Sequence, residues 1–237
     1  MDGSQRLGPP RPVAPTRWVL RPHEADADGI VGAGADLEVP TLVEAYRSGV
    51  FPWPHQGQPL LWFSPDPRAV IEPAAVHISR SLRRTLRRSG WTTTMGEALP
   101  EVIRACAERP AGTGTWITAE MQDAYAELWA LGWAQSLEVW EDGELIGGVY
   151  GVRVGSVFTG ESMFHHRPDA SKVALVDLCA RLVEAGGDLL DVQLPTEHLR
   201  SMGAQVIPRE EFLQLLVRVR DRSCLPVRVE LPVARLA

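Results

Sequence analysis

Nothing in this sequence stays apolar for long. No run approaches the ~18 residues that a bilayer-spanning helix needs, so no transmembrane helix is expected in the 237 residues. The proline-rich start, MDGSQRLGPPRPVAPTR, lacks the apolar stretch of a secretory signal and reads as a disordered leader over residues 1–16. Cysteine is scarce: Cys106, Cys179 and Cys224 are far apart and odd in number. With no CxxC pair, they predict free thiols in a reducing cytoplasm, not a disulfide framework or a zinc site. No metal is expected elsewhere either. H-E-x-x-H is absent, and His165 and His166, adjacent on a strand, would face opposite ways. There is no phosphate-cradling P-loop. GIVGAGAD has glycines but no strand–helix setting for a dinucleotide, and GESMF ends in Phe164 where a nucleophile elbow needs glycine. Positive charge is short overall: the net charge of −6 gives no global pull toward nucleic acid or membrane, so any polyanion site must be a local patch.

What is present is an alternation of helices and strands, without internal repeat, in a chain long enough for one large domain or a medium domain with a small appendage. TLVEAYRSG reads as a short helix, with Pro40 in its first turn and Gly49 as its stop. VFPWPHQGQPLLWFSPDPR carries too much proline for long regular structure and reads as a packed connector. A boundary near Pro65–Pro67 then separates a small N-terminal domain, residues 17–66, from a larger one, residues 67–237. In the larger part AVIE and WTTTM read as strands, and SRSLRRTLRRS and most of GEALPEVIRACAE as helices. TAEMQDAYAELWALG is a helix with Thr118 as N-cap and Gly132 as its stop. QSLEVWEDGELIGGVYGVRV is a hairpin turning on Asp142-Gly143. GSVFTG opens another strand, a helix runs from about Ser171 to Ala185, DLLDVQL is a strand, and a last helix starts at Pro208. The pattern predicts an α/β fold with a mixed sheet.

Three features point to chemistry. At 100° per residue, Arg80, Arg83, Arg84, Arg87 and Arg88 fall within one arc of roughly 140°, opposite Ile78, Leu82 and Leu86. A solvated face is the ordinary fate of such a run. Here no acid dilutes the window, and neighbouring like charges favour contact with a phosphate backbone. In LLDVQL, Asp191 and Gln193 share one strand face, with Leu190, Val192 and Leu194 on the other. Glu161 sits at another strand end within FTGESMF. Burial would raise its pKa unless a donor or a cation meets it, and a substrate ammonium is one candidate.

From about Gly32 to Phe212, the segments FPW, WFSPDPRAVI, HISRSLRR, GTWIT, GGVYGV, FTGESMF, ASKVAL and DVQLPTEHLRSMGA follow one order with familiar spacing. In these segments the chain resembles the bacterial leucyl/phenylalanyl-tRNA–protein transferases. The resemblance implies a small N-terminal domain followed by an acetyltransferase-like (GNAT) domain. It implies transfer of Leu or Phe from Leu-tRNA or Phe-tRNA to acceptor proteins with N-terminal Lys or Arg, marking them for N-degron degradation in the cytoplasm. An aminoacyl ester is already activated, so no cofactor is expected. Asp191 and Gln193 become the expected proton-handling pair, with Gln193 as orienter and Asp191 polarising it; the terminal ribose hydroxyl is the other group the family allows. Glu161 is expected to bind an ammonium of the aminoacyl donor. Trp53 and Trp116 match aromatics near the terminal adenosine, where a π-face suits stacking. Val149, Phe158, Met163, Leu178, Leu182 and Leu190 match the lining of the aminoacyl side-chain pocket. Family members often carry methionine where this chain has Val149, phenylalanine where it has Leu178 and Leu182, and histidine where it has Gln135.

Two other functions fit less well. An acyl-coenzyme A N-acyltransferase would carry [RQ]-x-x-G-x-[GA], but RSMGAQ breaks that pattern at Gln205. A non-catalytic tRNA-binding module would not need Asp191, Gln193 and Glu161 together.

Overall fold

A computed structural model describes residues 6–54, 57–108 and 115–237. Strands β1 (Ile30–Ala33), β2 (Phe51–Trp53) and β3 (Leu61–Phe63) make a small antiparallel sheet in the order β1-β3-β2, with helix α1 (Val39–Arg47) between the first two. The remaining elements follow as β4 (Arg68–Ile71), α2 (Arg80–Arg88), β5 (Thr92–Met95), α3 (Leu99–Ala107), α4 (Ala119–Ala130), β6 (Ala134–Glu141), β7 (Glu144–Val154), β8 (Val157–His165), α5 (Ala170–Ala185), β9 (Leu189–Gln193), α6 (Glu197–Ser201), β10 (Gln205–Ile207), α7 (Arg209–Val219) and β11 (Leu231–Pro232). Their eight strands form one mixed sheet, β10-β4-β9-β8-β7-β6-β5-β11. Only β8 and β9 in it run parallel. The expected α/β class with a mixed sheet is what the chain builds.

Local chemistry sets several boundaries. The Ser79 hydroxyl caps α2 by accepting from the Leu82 N–H at 3.2 Å, and Thr118 caps α4 by accepting from the Met121 N–H at 3.2 Å. Asp142 (φ 50°) and Gly143 (φ 81°) take left-handed conformations at the expected hairpin turn, which matches the right-handed twist of β6 and β7.

Two buried clusters cover the sheet. One joins α1, α3, α4 and α7 with Phe51 and Trp62 of the small sheet. The other joins α2 and α5 with the opposite sheet face. The N-terminal segment therefore shares its core with the larger part: Tyr46, Val50, Phe51 and Trp62 sit with Tyr125 and Phe212.

The expected disorder of the leader is corrected from Arg6 onward; residues 1–5 lie outside the described residues. Leu7 is buried, its N–H donates to the Pro226 carbonyl at 2.9 Å, and the Arg11 N–H donates to the Leu131 carbonyl at 2.8 Å. Proline limits regular structure but not an extended strap whose remaining polar groups find partners on the domain. The strand opened by GSVFTG runs on to His165, and the segment before TLVEAYRSG contains β1. All three cysteines are buried, and none is part of a disulfide.

Candidate active site

The centre of the sheet is where β8 and β9 part. Their parallel pairing covers Val157–Leu189, Phe158–Leu190 and Thr159–Asp191, then stops. Just beyond, each strand bulges. Tyr150 of β7 lies opposite Ser162 and Gly151 opposite Gly160, so Glu161 has no partner across the ladder. On β9, Val70 lies opposite Asp191 and Ala69 opposite Gln193, which leaves Val192 as the extra residue. Gln193 itself adopts φ 62°. Bulges re-aim side chains, and these two aim Glu161 and Gln193 at each other: Gln193 Nε2 donates to Glu161 Oε1 at 2.7 Å. Gly151 permits this, because a β-carbon there would lie 2.1 Å from the Thr159 carbonyl oxygen.

Glu161 faces donors. The Tyr125 hydroxyl donates to its Oε2 at 3.0 Å, and the Tyr46 and Tyr125 hydroxyls hydrogen-bond each other. Tyr150 packs edge-on against Tyr125 with ring centroids 5.6 Å apart. Burial among these groups pushes the Glu161 carboxyl up to about 7, against the opposing pull of hydrogen bonds from Tyr46, Tyr125 and Gln193. The same burial, with Glu161's charge, lifts all three tyrosines well above their ordinary range.

Asp191 is placed differently from expectation. It is 0% exposed and paired with Arg68, itself 1% exposed: Nε donates to Oδ1 at 2.8 Å and Nη2 to Oδ2 at 2.6 Å. The Thr159 hydroxyl adds a bond to Oδ2 at 3.3 Å, and the Gln193 backbone N–H one to Oδ1 at 3.0 Å. Arg68 also donates to the Gly49 carbonyl and lies over the rings of Phe51 and Phe212. Polarisation of the Gln193 side chain by Asp191 is therefore corrected. Asp191 holds the backbone of Gln193, while the side-chain amide turns to Glu161. A buried carboxylate needs a matched cation and filled acceptor sites, and Arg68 with these donors supplies both.

Glu161 and Gln193 open into a cavity of about 180 Å³ lined also by Phe51, Trp53, Trp116, Val192 and Leu199. The rings of Trp53 and Trp116 are 6.4 Å apart and tilted by 54°. Val149, Phe158, Leu178, Leu182 and Leu190 are brought together in the core cluster on the other sheet face, and Met163 packs against it. They form closed core behind the strand gap, not the wall of the open cavity. The bulge explains how Phe158 and Met163 share that face although strict alternation would separate them.

Arg80, Arg83, Arg84, Arg87 and Arg88 are all exposed, while Leu82 and Leu86 of the same helix are buried. Among the described residues none of the five has an ion-pair partner. Arg80, Arg84 and Arg88 line an open groove of about 840 Å³. One acid does border it. Asp169, from the start of α5, accepts from Thr85 at 3.0 Å and from Lys172 at 2.9 Å.

Sequence reasoning missed Arg68, Tyr46 and Tyr125. Arg68 had a signal, as a lone cation opening an apolar strand. The tyrosines had none, since they occupy core positions on amphipathic helices.

Comparison with known proteins bears on this arrangement. Residues 70–217 match the family model of leucyl/phenylalanyl-tRNA protein transferase, and residues 35–66 match the model of its N-terminal domain. A leucyl/phenylalanyl-tRNA–protein transferase of Anaeromyxobacter sp. (strain K) is 51% identical over 212 residues, covering 89% of this chain and 91% of that one. Its namesake in Stutzerimonas stutzeri (strain A1501) is 50% identical over 198 residues, covering 83% and 88%. Among solved structures, a GCN5-related N-acetyltransferase from Kribbella flavida aligns with TM-score 0.38 at 13% identity, over 68% of this chain and 57% of that one. L-PGS from Bacillus licheniformis aligns with TM-score 0.38 at 13% identity, over 62% and 48%. The alignments thus span less than two thirds of those two chains, a likeness too slight to build on. The sequence matches are of another order: the chain belongs to the leucyl/phenylalanyl-tRNA–protein transferase family.

Proposed function

We propose that this protein transfers Leu or Phe from aminoacyl-tRNA to the N-terminal Lys or Arg of acceptor proteins, in the cytoplasm, so marking them for N-degron degradation. The observation that carries this is the cavity at the strand gap, lined by two indole rings and the Glu161–Gln193 pair. Such a cavity suits a terminal adenosine, held by stacking on Trp53 and Trp116, with its ester directed at polar groups. The side chain of Leu or Phe enters between β8 and β9, toward Leu190, Phe158, Met163, Val149, Leu178 and Leu182. Gly160 leaves room there: a β-carbon at that position would meet no atom nearer than 3.7 Å. Arg80, Arg83, Arg84, Arg87 and Arg88 follow the phosphate backbone of the acceptor stem. In this reading residues 17–66 form the small domain and residues 67–237 the catalytic one, and both contribute to the cavity.

The test is transfer of radiolabelled Phe or Leu from tRNA to a model protein with N-terminal Arg. Labelled product is expected from both donors, and no label from acetyl-coenzyme A. Acetyl transfer without aminoacyl transfer would overturn the reading.

A further inference from the structure

One carboxylate in the strand gap is closed off and the other is not. Each oxygen of Asp191 accepts two bonds, from Arg68 Nε and the Gln193 N–H on one side and from Arg68 Nη2 and Thr159 on the other. With no exposed surface, it offers an incoming amine nothing to reach. Glu161 lines the cavity, and one bond to its Oε1 is seen, from the Gln193 amide. A carboxylate offers about four acceptor sites, and Gln193, Tyr125 and Tyr46 together fill three at most, so Glu161 keeps one for an incoming donor.

We propose that Glu161 takes the proton from the attacking amine, and that Tyr125 and Tyr46 are positioning residues that hold its carboxylate at the gap. The proposal rests on the aminoacyl-transfer reading above. The acceptor nitrogen bonds to the ester carbonyl carbon, and the bond from that carbon to the ribose oxygen breaks. One N–H proton passes to Glu161 and from there to the departing ribose oxygen, so the carboxylate ends ionised as it began. Gln193, which cannot carry a proton at neutral pH, orients Glu161.

The surroundings suit that role. Glu161 meets Tyr46 from α1, Tyr125 from α4, Tyr150 from β7, and Asp191 with Gln193 from β9. Arg68 of β4 is bound to Asp191, so the two neighbouring full charges offset each other. The tyrosines stay neutral, and burial leaves Glu161 titrating at about 7, where its base form is available and its acid form can return the proton.

Single-turnover transfer from Phe-tRNA, measured across about pH 5.5 to 9 and expressed per neutral acceptor amine, tests this. Wild type should show one remaining break near neutrality. Glu161→Gln should lose that break and fall about 100-fold in rate, while its Kd for Phe-tRNA stays within about threefold of wild type. Tyr125→Phe should move the break to higher pH, because a donor that favours the ionised form is gone, and should recover its rate at alkaline pH. A folding defect would produce no such shift. A profile without the break in active wild type, or an unmoved break in an active Tyr125→Phe enzyme, would overturn the proposal and leave the transfer reading standing. Wild-type protein that transfers neither Phe nor Leu would remove that reading and the proposal with it.

Discussion

Glu161 and Asp191 lie near each other in one strand gap, yet their surroundings differ. Glu161 keeps a proton more readily than an ordinary carboxyl, at about 7, because burial outweighs its donors. Linkage gives the sign: the unfolded chain releases this proton at lower pH than the folded one, so stability falls between about pH 4.5 and 7 and stays lower above. Glu161→Gln removes that loss. Above neutrality the variant should be the more stable by on the order of 2–3 kcal/mol, discounted for the water reaching the cavity edge. Near pH 4.5 the difference should vanish. Melting temperatures of both proteins from about pH 4.5 to 8 check this, and a gap that does not vary with pH would contradict it. Asp191 depends on Arg68 instead. Arg68→Met strands a buried carboxylate and should cost about 3–5 kcal/mol. Adding Asp191→Asn removes the stranded charge while keeping an acceptor for the Gln193 N–H. The double variant should therefore lose less than Arg68→Met alone in urea unfolding. A double variant less stable than the single would show that the pair's charge is not what matters.

At the scale of elements, α2 separates a buried face from a charged one by angle. Leu82 and Leu86 dock it, and the arginines remain outside, without carboxylate partners among the described residues. Replacing Arg80, Arg84 and Arg88 by alanine should leave the melting temperature nearly unchanged. The slope of log affinity for tRNA against log salt should fall by up to about 2–3, since each phosphate contact contributes roughly 0.7–0.9. Unaltered salt dependence would detach the helix from tRNA binding. This face was legible in the sequence because a helical period of 3.6 residues is a local property. So were the hairpin at Asp142-Gly143 and the caps Thr118 and Gly132, for the same reason. The two bulges were not legible. They arise from register between strands, and nothing in FTGESMF marks Glu161 as the residue without a partner until Tyr150 is seen opposite Ser162. The match of Arg68 to Asp191 was hidden likewise, as the two are 123 positions apart. What the sequence did offer was Glu161, Asp191 and Gln193 as candidates, and the fold brings the three together at one strand gap. Which of them touches which is a tertiary fact.

On the scale of the whole molecule, the small sheet and the large one are bound through a common core and a common site. Tyr46 of α1 bonds Tyr125 of α4, Arg68 of β4 stacks on Phe51 of β2 and Phe212 of α7, and the leader from Arg6 onward bonds the last segment of the chain. Trp53 of the small sheet and Trp116 of the larger part line one cavity. Separating the two parts would expose the apolar faces of Phe51, Trp62 and Phe212 and leave the Tyr46–Tyr125–Glu161 chain incomplete. Exposing that much apolar surface opposes independent melting of either part. Thermal unfolding should accordingly be a single cooperative transition, with calorimetric and van't Hoff enthalpies in a ratio near 1. Near-ultraviolet dichroism, dominated by tryptophans on both sides of the boundary, should change at the same temperature as the far-ultraviolet signal. Two resolved transitions, or tryptophan signals lost before the helices melt, would mean that the small domain opens alone and that the cavity between Trp53 and Glu161 forms only when the parts are docked.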